Sequence, residues 1–391
     1  MAGPANAPDD PSQTGRGLSD RLSFIKALRL TDFRSYSALD LNFDGRPVVL
    51  FGPNGAGKTN LLEAISLLSP GRGLRRAKAD LLARKAGELS ASAWGINAAL
   101  SPDDIRLSVG SIPGAPRRKV VRIDGQTVPA THLADCLSVQ WLTPAQDRLF
   151  TGPESDRRRF LDRLVLAFHP DHAPLSSRYE KARTERNRLL SDGAQDALWY
   201  DALERTLATT GAAIAKRRVM TVERLQDTLK ARDGGAFPQA DLRLTGDLED
   251  AVIAGMAEDD LIEHSLRTLS QMRMRDMRAG RTLSGPHRSE VHVTHREKDM
   301  PAALCSTGEQ KALLIGLVLA HARAQSGRRP TLLLDEVAAH LDATRRKALA
   351  DELIDLGLQV FLTGTDQALF SDFGNRAQHL QVTGEGITAA G

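Results

Sequence analysis

The chain has 391 residues, 41% of them hydrophobic, and its 52 basic and 49 acidic residues leave a net charge of +3. This length allows two lobes around a normal core, and the small charge excludes a histone-like protein, so any nucleic-acid contact must come from local basic patches. Its two cysteines, Cys136 and Cys305, exclude a disulfide framework and fit a reducing cytosol, and no apolar run reaches the roughly 18–20 residues that span a bilayer.

The N-terminal part of the chain is predicted to be a tail followed by two strands. Residues 1–22 are rich in Pro, Gly, Ser and Asp and contain no apolar signal core, so we predict a disordered tail rather than a targeting peptide. We therefore expect a cytoplasmic protein without a membrane partner. Strands are predicted at 24–30 and 38–43, with a turn at 31–36 between them.

The next segment matches the phosphate-binding pattern G-x-x-x-x-G-K-[ST] and lies between a predicted buried strand and a predicted helix. Its residues are Gly52, Pro53, Asn54, Gly55, Ala56, Gly57, Lys58 and Thr59. The glycines let backbone N–H groups turn towards phosphate oxygens, and the helix N-terminus favours the same anion. Lys58 is predicted to reach the outer phosphates of ATP, and the Thr59 hydroxyl to hold Mg²⁺. The alternative is a Gly-rich turn that binds nothing.

Basic residues follow in two places, a loop at 72–78 and a long helical stretch at 152–230, with antiparallel strands predicted at 91–128 between them. The helical stretch is predicted to form an arm of two or three helices. As candidates for DNA contact we select Arg75, Arg76, Arg157, Arg158 and Arg159. The alternative for these arginines is a solvated helix face with i,i+4 ion pairs.

Two motifs near the C-terminus add further chemistry. Ser306 and Gly308 stand at the mouth of a predicted helix, where a hydroxyl and free N–H groups make an anion site. The alternative is a plain Ser N-cap with Glu309 completing a capping box. A predicted strand at 331–334 ends in Asp335, placed to hold Mg²⁺ beside Thr59, and in Glu336, placed to deprotonate an attacking water.

These motifs, in this order and spacing, resemble those of ABC-type ATPases. In that class the Ser306–Gly308 motif of one subunit touches the γ-phosphate held by another, and a glutamine after a strand senses Mg²⁺. Gln140 is the candidate for that glutamine and Gln146 its rival. Leu341-Asp342 resembles the D-loop at the dimer seam. Where many members carry a γ-phosphate-sensing His, this chain has Thr363 and Thr365, so that switch is altered or absent.

The chain resembles most specifically the RecF family of bacterial DNA repair ATPases. The residues that carry this resemblance are Phe33-Arg34-Ser35-Tyr36, the loop 52–59, Gly152-Pro153, Arg157 to Asp162, Gly285-Pro286-His287-Arg288 and Ser306 to Lys311. Arg34, in the first of these motifs, becomes a candidate for ATP contact. Two positions depart from the family pattern: Ser289-Glu290 replaces a pair of acidic residues, and Glu309 stands where Gln is usual.

The resemblance implies an α/β fold, with an ABC-type ATPase head, an antiparallel β subdomain and a helical arm. We expect the head to comprise residues 23–150 and 281–391, and the arm residues 151–280. It also implies a weak ATPase that needs ATP and Mg²⁺ and dimerises on ATP. The expected partners are single-stranded and duplex DNA at gap junctions, together with RecR and RecO in helping RecA to load. An SMC-like clamp and an ABC transporter ATPase subunit are the alternatives.

Overall fold

The computed structural model describes residues 24–86, 89–193, 196–231, 235–325 and 330–390. The tail predicted for residues 1–22 lies outside them. The strands are β1 (Phe24–Phe33), β2 (Tyr36–Asn42), β3 (Val48–Phe51), β4 (Lys85–Ala86), β5 (Leu89–Ser90), β6 (Gly95–Ser101), β7 (Arg106–Ile112), β8 (Ala115–Ile123), β9 (Gln126–Val128), β10 (Val139–Leu142), β11 (Ala240–Thr245), β12 (Glu290–His295), β13 (Met300–Pro301), β14 (Thr331–Leu334), β15 (Val360–Gly364), β16 (Gln378–Val382) and β17 (Ile387–Ala389). The helices are α1 (Lys58–Ser66), α2 (Leu133–Cys136), α3 (Glu154–Phe168), α4 (His172–Ser191), α5 (Ala197–Lys230), α6 (Asp247–Ile253), α7 (Glu258–Gln271), α8 (Arg273–Ala279), α9 (Thr307–Ala324) and α10 (Ala343–Asp355).

A six-stranded sheet in the order β10-β14-β15-β3-β16-β17 forms the centre of the molecule. All neighbouring strands from β10 to β16 are parallel, and β17 is antiparallel to β16. Side chains of β3 alternate between two hydrophobic cores, with Val48 and Leu50 on one face and Val49 and Phe51 on the other. A parallel sheet buried on both faces has strands that are apolar throughout, which explains the short apolar runs in the sequence.

A second sheet is antiparallel and has the order β2-β1-β6-β7-β8-β9. Its buried face shares a core with α1 and the central sheet, through residues such as Leu28, Ile96, Leu61 and Leu333. This sheet confirms the predicted antiparallel strands between residues 91 and 128.

Helix α5, with 34 residues, is the longest helix among the described residues and spans about 51 Å. It packs against α9 in the head and against α4 and α7 in the arm. Inside the arm Arg186 is fully buried, and its Nη1 donates to Asp276 at 2.6 Å while its Nε donates to Glu204 at 3.1 Å. The charged helical stretch thus forms a helical arm as predicted, but part of its charge lies inside the arm instead of on a solvated face.

The small sheet β11-β12-β13 crosses the predicted boundary at residue 280. Strand β11, from the segment assigned to the arm, pairs along its whole length with β12, which follows that boundary. The segment predicted as the arm therefore contributes a strand to a sheet that continues into the predicted head. Within the described ranges, no helix combines the length and apolar character needed to cross a bilayer. The predicted class, a mixed α/β head with an antiparallel subdomain and a helical arm, is confirmed.

Candidate functional site

The candidate site lies at one edge of the central sheet, where parallel strands end together. The loop 52–57 follows β3, Asp335 follows β14, and Thr363 is the next-to-last residue of β15. Hydrogen bonds fasten these ends: Gly52 N donates to Gly364 O at 3.3 Å, and Asp335 N donates to Leu142 O at 2.8 Å. Because the carboxyl ends of parallel strands share an edge, residues nearly 280 positions apart meet there.

Two glycines of the phosphate-binding loop are required by its close packing. Gly52 has φ +150°, and a Cβ there would lie 2.1 Å from the carbonyl oxygen of Val382. Gly57 has φ +111°, and a Cβ there would lie 2.8 Å from the hydroxyl oxygen of Tyr36. Any side chain at these positions would force the loop away from the sheet or from the turn that supports it.

Lys58 is the first residue of α1, and its ammonium lies over the loop. Its Nζ donates to the carbonyl oxygens of Gly52 at 2.6 Å and Pro53 at 2.9 Å. Burial lowers the pKa of Lys58, whereas the negative charges of Glu336 and Asp335 act in the opposite direction. The lysine therefore stands beside both carboxylates, in the position from which it can reach phosphate oxygens above the loop.

A chain of hydrogen bonds joins the helix, the acidic strand and β15. The hydroxyls of Thr59 and Thr363 both donate to Asp335 Oδ1, at 3.0 and 2.7 Å. The backbone N–H of Glu336 donates to Thr363 Oγ1 at 2.9 Å. Glu336 has φ +54°, a left-handed conformation that is uncommon for a residue with a side chain and is found often at functional sites. The sequence pattern indicates Thr363 only as a replacement for histidine and carries no signal for this bridging contact.

The arrangement fits a Mg²⁺ ion that binds together with phosphate. Thr59 and Asp335 supply two oxygens at one place, and Mg²⁺ usually takes one or two protein oxygens and completes its shell with phosphates and waters. Among the described residues, no group of three or more His, Cys, Asp and Glu side chains is arranged to hold a metal. The site is thus suited to a metal that arrives with a nucleotide.

The turn 33–36 supports the loop and helix α1 from below. Tyr36 Oη donates to Gly57 O at 3.0 Å, and burial raises the pKa of Tyr36 to about 12. Arg34 Nε and Nη2 donate to the fully buried Glu63 at 2.8 and 2.7 Å, and its Nη1 donates to Leu81 O at 2.8 Å. The Arg34 guanidinium thus neutralises a carboxylate of α1, and its contact with ATP stays a prediction.

Gln140 also makes a contact within the chain. This residue lies within β10, is buried, and its Nε2 donates to Arg163 O of helix α3 at 2.9 Å. Its side chain therefore fastens α3 to the sheet, and a role in sensing Mg²⁺ stays a prediction. The rival Gln146 lies after the strand, in the turn of helix 144–148, where its Oε1 accepts the N–H of Thr143 at 3.0 Å.

The motif at the start of α9 is exposed. Ser306 and Gly308 are on the surface, and a Cβ at Gly308 would meet nothing within 4 Å. Ser306 is also the N-cap in a capping box, in which Glu309 Oε2 accepts from Ser306 N at 2.9 Å. Glu309 forms an ion pair with Lys298, and this contact, with the bonds from Ser306, lowers the pKa of Glu309 to about 2. Capping and exposure coexist, so the groups of the cap remain accessible.

Asp342 and Leu304 are also exposed at the surface. Asp342 caps α10 by accepting from Arg345 N at 2.8 Å, and its side chain is exposed. Leu304, two residues before Ser306, is 72% exposed.

Four of the five arginines selected for DNA contact have polar partners within the chain, among them Arg159, which pairs with Asp156. Arg157 forms a two-pronged pair with Glu290 at 2.7 and 2.9 Å, and Arg158 donates to Ser289 O at 2.8 Å. Arg75 donates to Asn60 at 2.6 Å and to Glu63 at 3.2 Å. Arg157 and Arg158 thus join α3 to the start of β12, and Arg75 helps to neutralise Glu63; their contact with DNA stays a prediction.

Known proteins resemble this chain in sequence and in fold. The family model of the RecF/RecN/SMC N terminal domain matches residues 24–388. The chain is 52% identical over 366 residues to the DNA replication and repair protein RecF of Mesorhizobium japonicum, covering 92% of this chain and 96% of that protein. It is 49% identical over 383 residues to the protein of the same name from Caulobacter sp. strain K31, covering 93% and 98%. A solved structure of the recombination mediator protein RecF-ATPrS in the RecFOR pathway has the same fold, with a TM-score of 0.80 at 21% identity over 95% of this chain and 100% of that one.

Proposed function

The chain belongs to the RecF/RecN/SMC family, and we propose that it is an ATP-dependent DNA-binding protein of DNA replication and repair. The observation that carries this proposal is the contact of Thr59 with Asp335 beside Lys58 and Glu336. A phosphate loop, an oxygen pair for Mg²⁺ and a carboxylate for water activation are the parts that nucleotide hydrolysis requires.

ATP would bind with its phosphates on the loop 52–57 and on the N-terminus of α1. Lys58 would exchange its contacts to Gly52 O and Pro53 O for the outer phosphates. Thr59 and Asp335 would hold Mg²⁺, which would supply positive charge to offset that of the phosphates. The ion pair of Arg34 with Glu63 would hold α1 in position without touching the nucleotide.

Glu336 would act on the water that attacks the γ-phosphate. Its carboxylate is half-buried next to Lys58, and the bond from its N–H to Thr363 holds its backbone in the left-handed conformation. A general base must be fixed within reach of the water whose proton it takes. The attachment of both Asp335 and Glu336 to Thr363 supports a site in which the metal ligand and the base move together.

We propose further that ATP joins two copies of the chain. Ser306 and Gly308 are exposed at the N-terminus of α9, where N–H groups and a hydroxyl suit a phosphate held by a second copy. A ligand that binds the closed dimer better than the open one shifts the population to the dimer. Hydrolysis removes the γ-phosphate and reopens it. Action at single-strand gaps with RecR and RecO, in support of RecA, belongs to this proposal, as do a slow turnover of ATP and a cytoplasmic location.

The test combines DNA affinity, measured with and without ATP at several salt concentrations, with the mass of the complex. The wild type should dimerise and bind DNA more tightly with ATP, and Lys58→Ala should lose both effects. Ser306→Arg should bind ATP as a monomer, and Glu336→Gln should stay dimeric with ATP. ATP binding with no effect on DNA affinity at low salt would favour the transporter alternative and overturn the proposal, and normal turnover in Glu336→Gln would remove that residue from catalysis.

A further inference from the structure

A large cleft lies between the head and the base of the arm. It is bounded by the loop 70–76, by β8 and β10, and by helices α3 and α4, and its volume is about 1220 Å³. We propose that this basic cleft holds the sugar–phosphate backbone of DNA, with Arg76, Lys119 and Arg159 as phosphate contacts. The inference rests on the DNA-binding activity proposed above and assigns a surface to it.

The charge of the lining is strongly one-sided. Its basic residues are Arg72, Arg76, Lys119, Arg148, Arg159 and Arg163. Its carboxylates are Asp156 and Asp162, and both already have cationic partners: Asp156 pairs with Arg159, and Asp162 pairs with Arg218 and His172. Among the residues that the structure describes, most of the basic charge in the cleft therefore has no counter-charge, and a polyanion would supply it.

Arg163 is a cation in the wall of the cleft with an unsatisfied hydrogen-bond donor. Its guanidinium carbon lies 3.0 Å from the centre of the Trp141 ring, and its Nη1 is buried without a hydrogen-bond partner. Burial lowers the pKa of Arg163. Gln140 fastens the backbone of this residue to β10, so the cation is fixed in the cleft wall. An unsatisfied guanidinium in a wall is costly unless a ligand completes its hydrogen bonds.

The loop and β8 supply the opposite wall. Lys119 Nζ donates to Gly71 O at 2.8 Å, and burial lowers the pKa of Lys119 to about 8. Across the cleft, burial and the positive charge of Arg76 lower the pKa of Arg159. Two guanidinium groups close enough to repel each other are typical of a place where a phosphate binds between them.

Size favours a polymer over a small ligand. Pockets for small molecules are usually about 300–1,000 Å³ and largely apolar. This cleft is larger, and its cations come from four separate elements, the loop, β8, α3 and the turn before α3. Phosphates repeated along a strand can meet such spaced cations, whereas one phosphate group cannot.

The experiment uses the full chain with ATP and compares neutral variants of the cleft with a matched control. Arg76→Gln, Lys119→Gln and Arg159→Gln are made singly and together. The control is Arg118→Gln, since Arg118 is exposed and neighbours Lys119 on β8, where successive side chains point to opposite faces. Affinity for one DNA is measured over a range of salt, alongside ATP binding and thermal unfolding.

Each cleft variant should lower the slope of log affinity against log salt concentration by about 0.9 for duplex DNA, or about 0.7 for a single strand, and the triple variant by about three times as much. ATP binding, thermal unfolding and the control should be unchanged. If the wild type binds DNA but the triple variant keeps its full slope, or if Arg118→Gln loses more than the cleft variants, the cleft is not the DNA surface. If the wild type binds no DNA, the proposed function itself fails.

Discussion

Thr363 Oγ1 lies 2.7 Å from Asp335 Oδ1 and donates its hydroxyl hydrogen to that carboxylate. The same oxygen accepts the backbone N–H of Glu336, so one buried hydroxyl binds two consecutive acidic residues from the neighbouring strand. The proposed metal ligand Asp335 and the candidate base Glu336 are thereby fixed to β15, the strand that also pairs with β3 before the phosphate loop.

Replacing this hydroxyl should slow catalysis without removing ATP. Thr363→Val keeps the shape of the side chain but leaves Asp335 with one donor fewer and frees the N–H of Glu336. We expect kcat for ATP hydrolysis to fall about tenfold, since a hydrogen bond to a charged group contributes about 1.5–3 kcal/mol. Steady-state ATPase assays and nucleotide binding provide the measurement. Thr363→Ser should restore most of the rate, and the exposed Thr365→Val should have no effect; equal rates for Thr363→Val and the wild type would contradict the role.

The pair of Lys298 with Glu309 should tune dimerisation. Glu309 is ionised, because its contacts with Lys298 and Ser306 lower its pKa to about 2, and in the proposed dimer it lies beside the γ-phosphate of the other copy. Lys298→Ala would leave that charge uncompensated and should weaken ATP-dependent dimerisation by roughly fivefold. Analytical ultracentrifugation with ATP measures the effect. Glu309→Gln should rescue Lys298→Ala, and a rescue that fails would show that Lys298 acts through another contact.

Arg34 should affect folding more than nucleotide affinity. Its removal leaves the buried carboxylate of Glu63 with only the longer contact to Arg75, so Arg34→Ala should lower the free energy of unfolding by about 2–3 kcal/mol. Urea denaturation measures this loss. The double variant Arg34→Ala/Glu63→Gln should regain stability and bind ATP normally. Stability regained with ATP affinity still lost would instead return Arg34 to the nucleotide site.

Acid should destabilise the head through His321. This residue is fully buried; its Nε2 donates to Leu164 O, its Nδ1 accepts from Gln325, and burial lowers its pKa to about 4. Because the unfolded chain binds the proton near pH 6.5, the stability is complete above that value and is lost as the pH falls towards 4, by up to about 3 kcal/mol. Urea unfolding at pH 7.5, 6 and 5 should show a weaker pH dependence for His321→Gln. An unchanged dependence in that variant would assign the effect to other groups, such as His287, whose pKa burial also lowers to about 4.

Each part of the candidate nucleotide site was predictable because it consists of consecutive residues. Residues 52–59 form their loop through their own backbone and glycines. Asp335 and Glu336 follow the strand β14, whose apolar residues are buried within the central sheet. Parallel strands end at one edge, so a reader of the sequence can bring these segments together without knowing any side-chain contact.

The tertiary structure decided which charged and polar side chains are free. Arg157 pairs with Glu290, 133 positions away, and Gln140 donates to the carbonyl oxygen of Arg163 on α3. Arg76 and Arg159 both line one cleft. The sequence does not distinguish an arginine that neutralises a buried carboxylate from one that we propose to bind a phosphate, because both occur at the same helical spacing. Their difference depends on the partner that folding places beside them, because burial without a partner is costly and each cation takes the nearest anion that the fold provides.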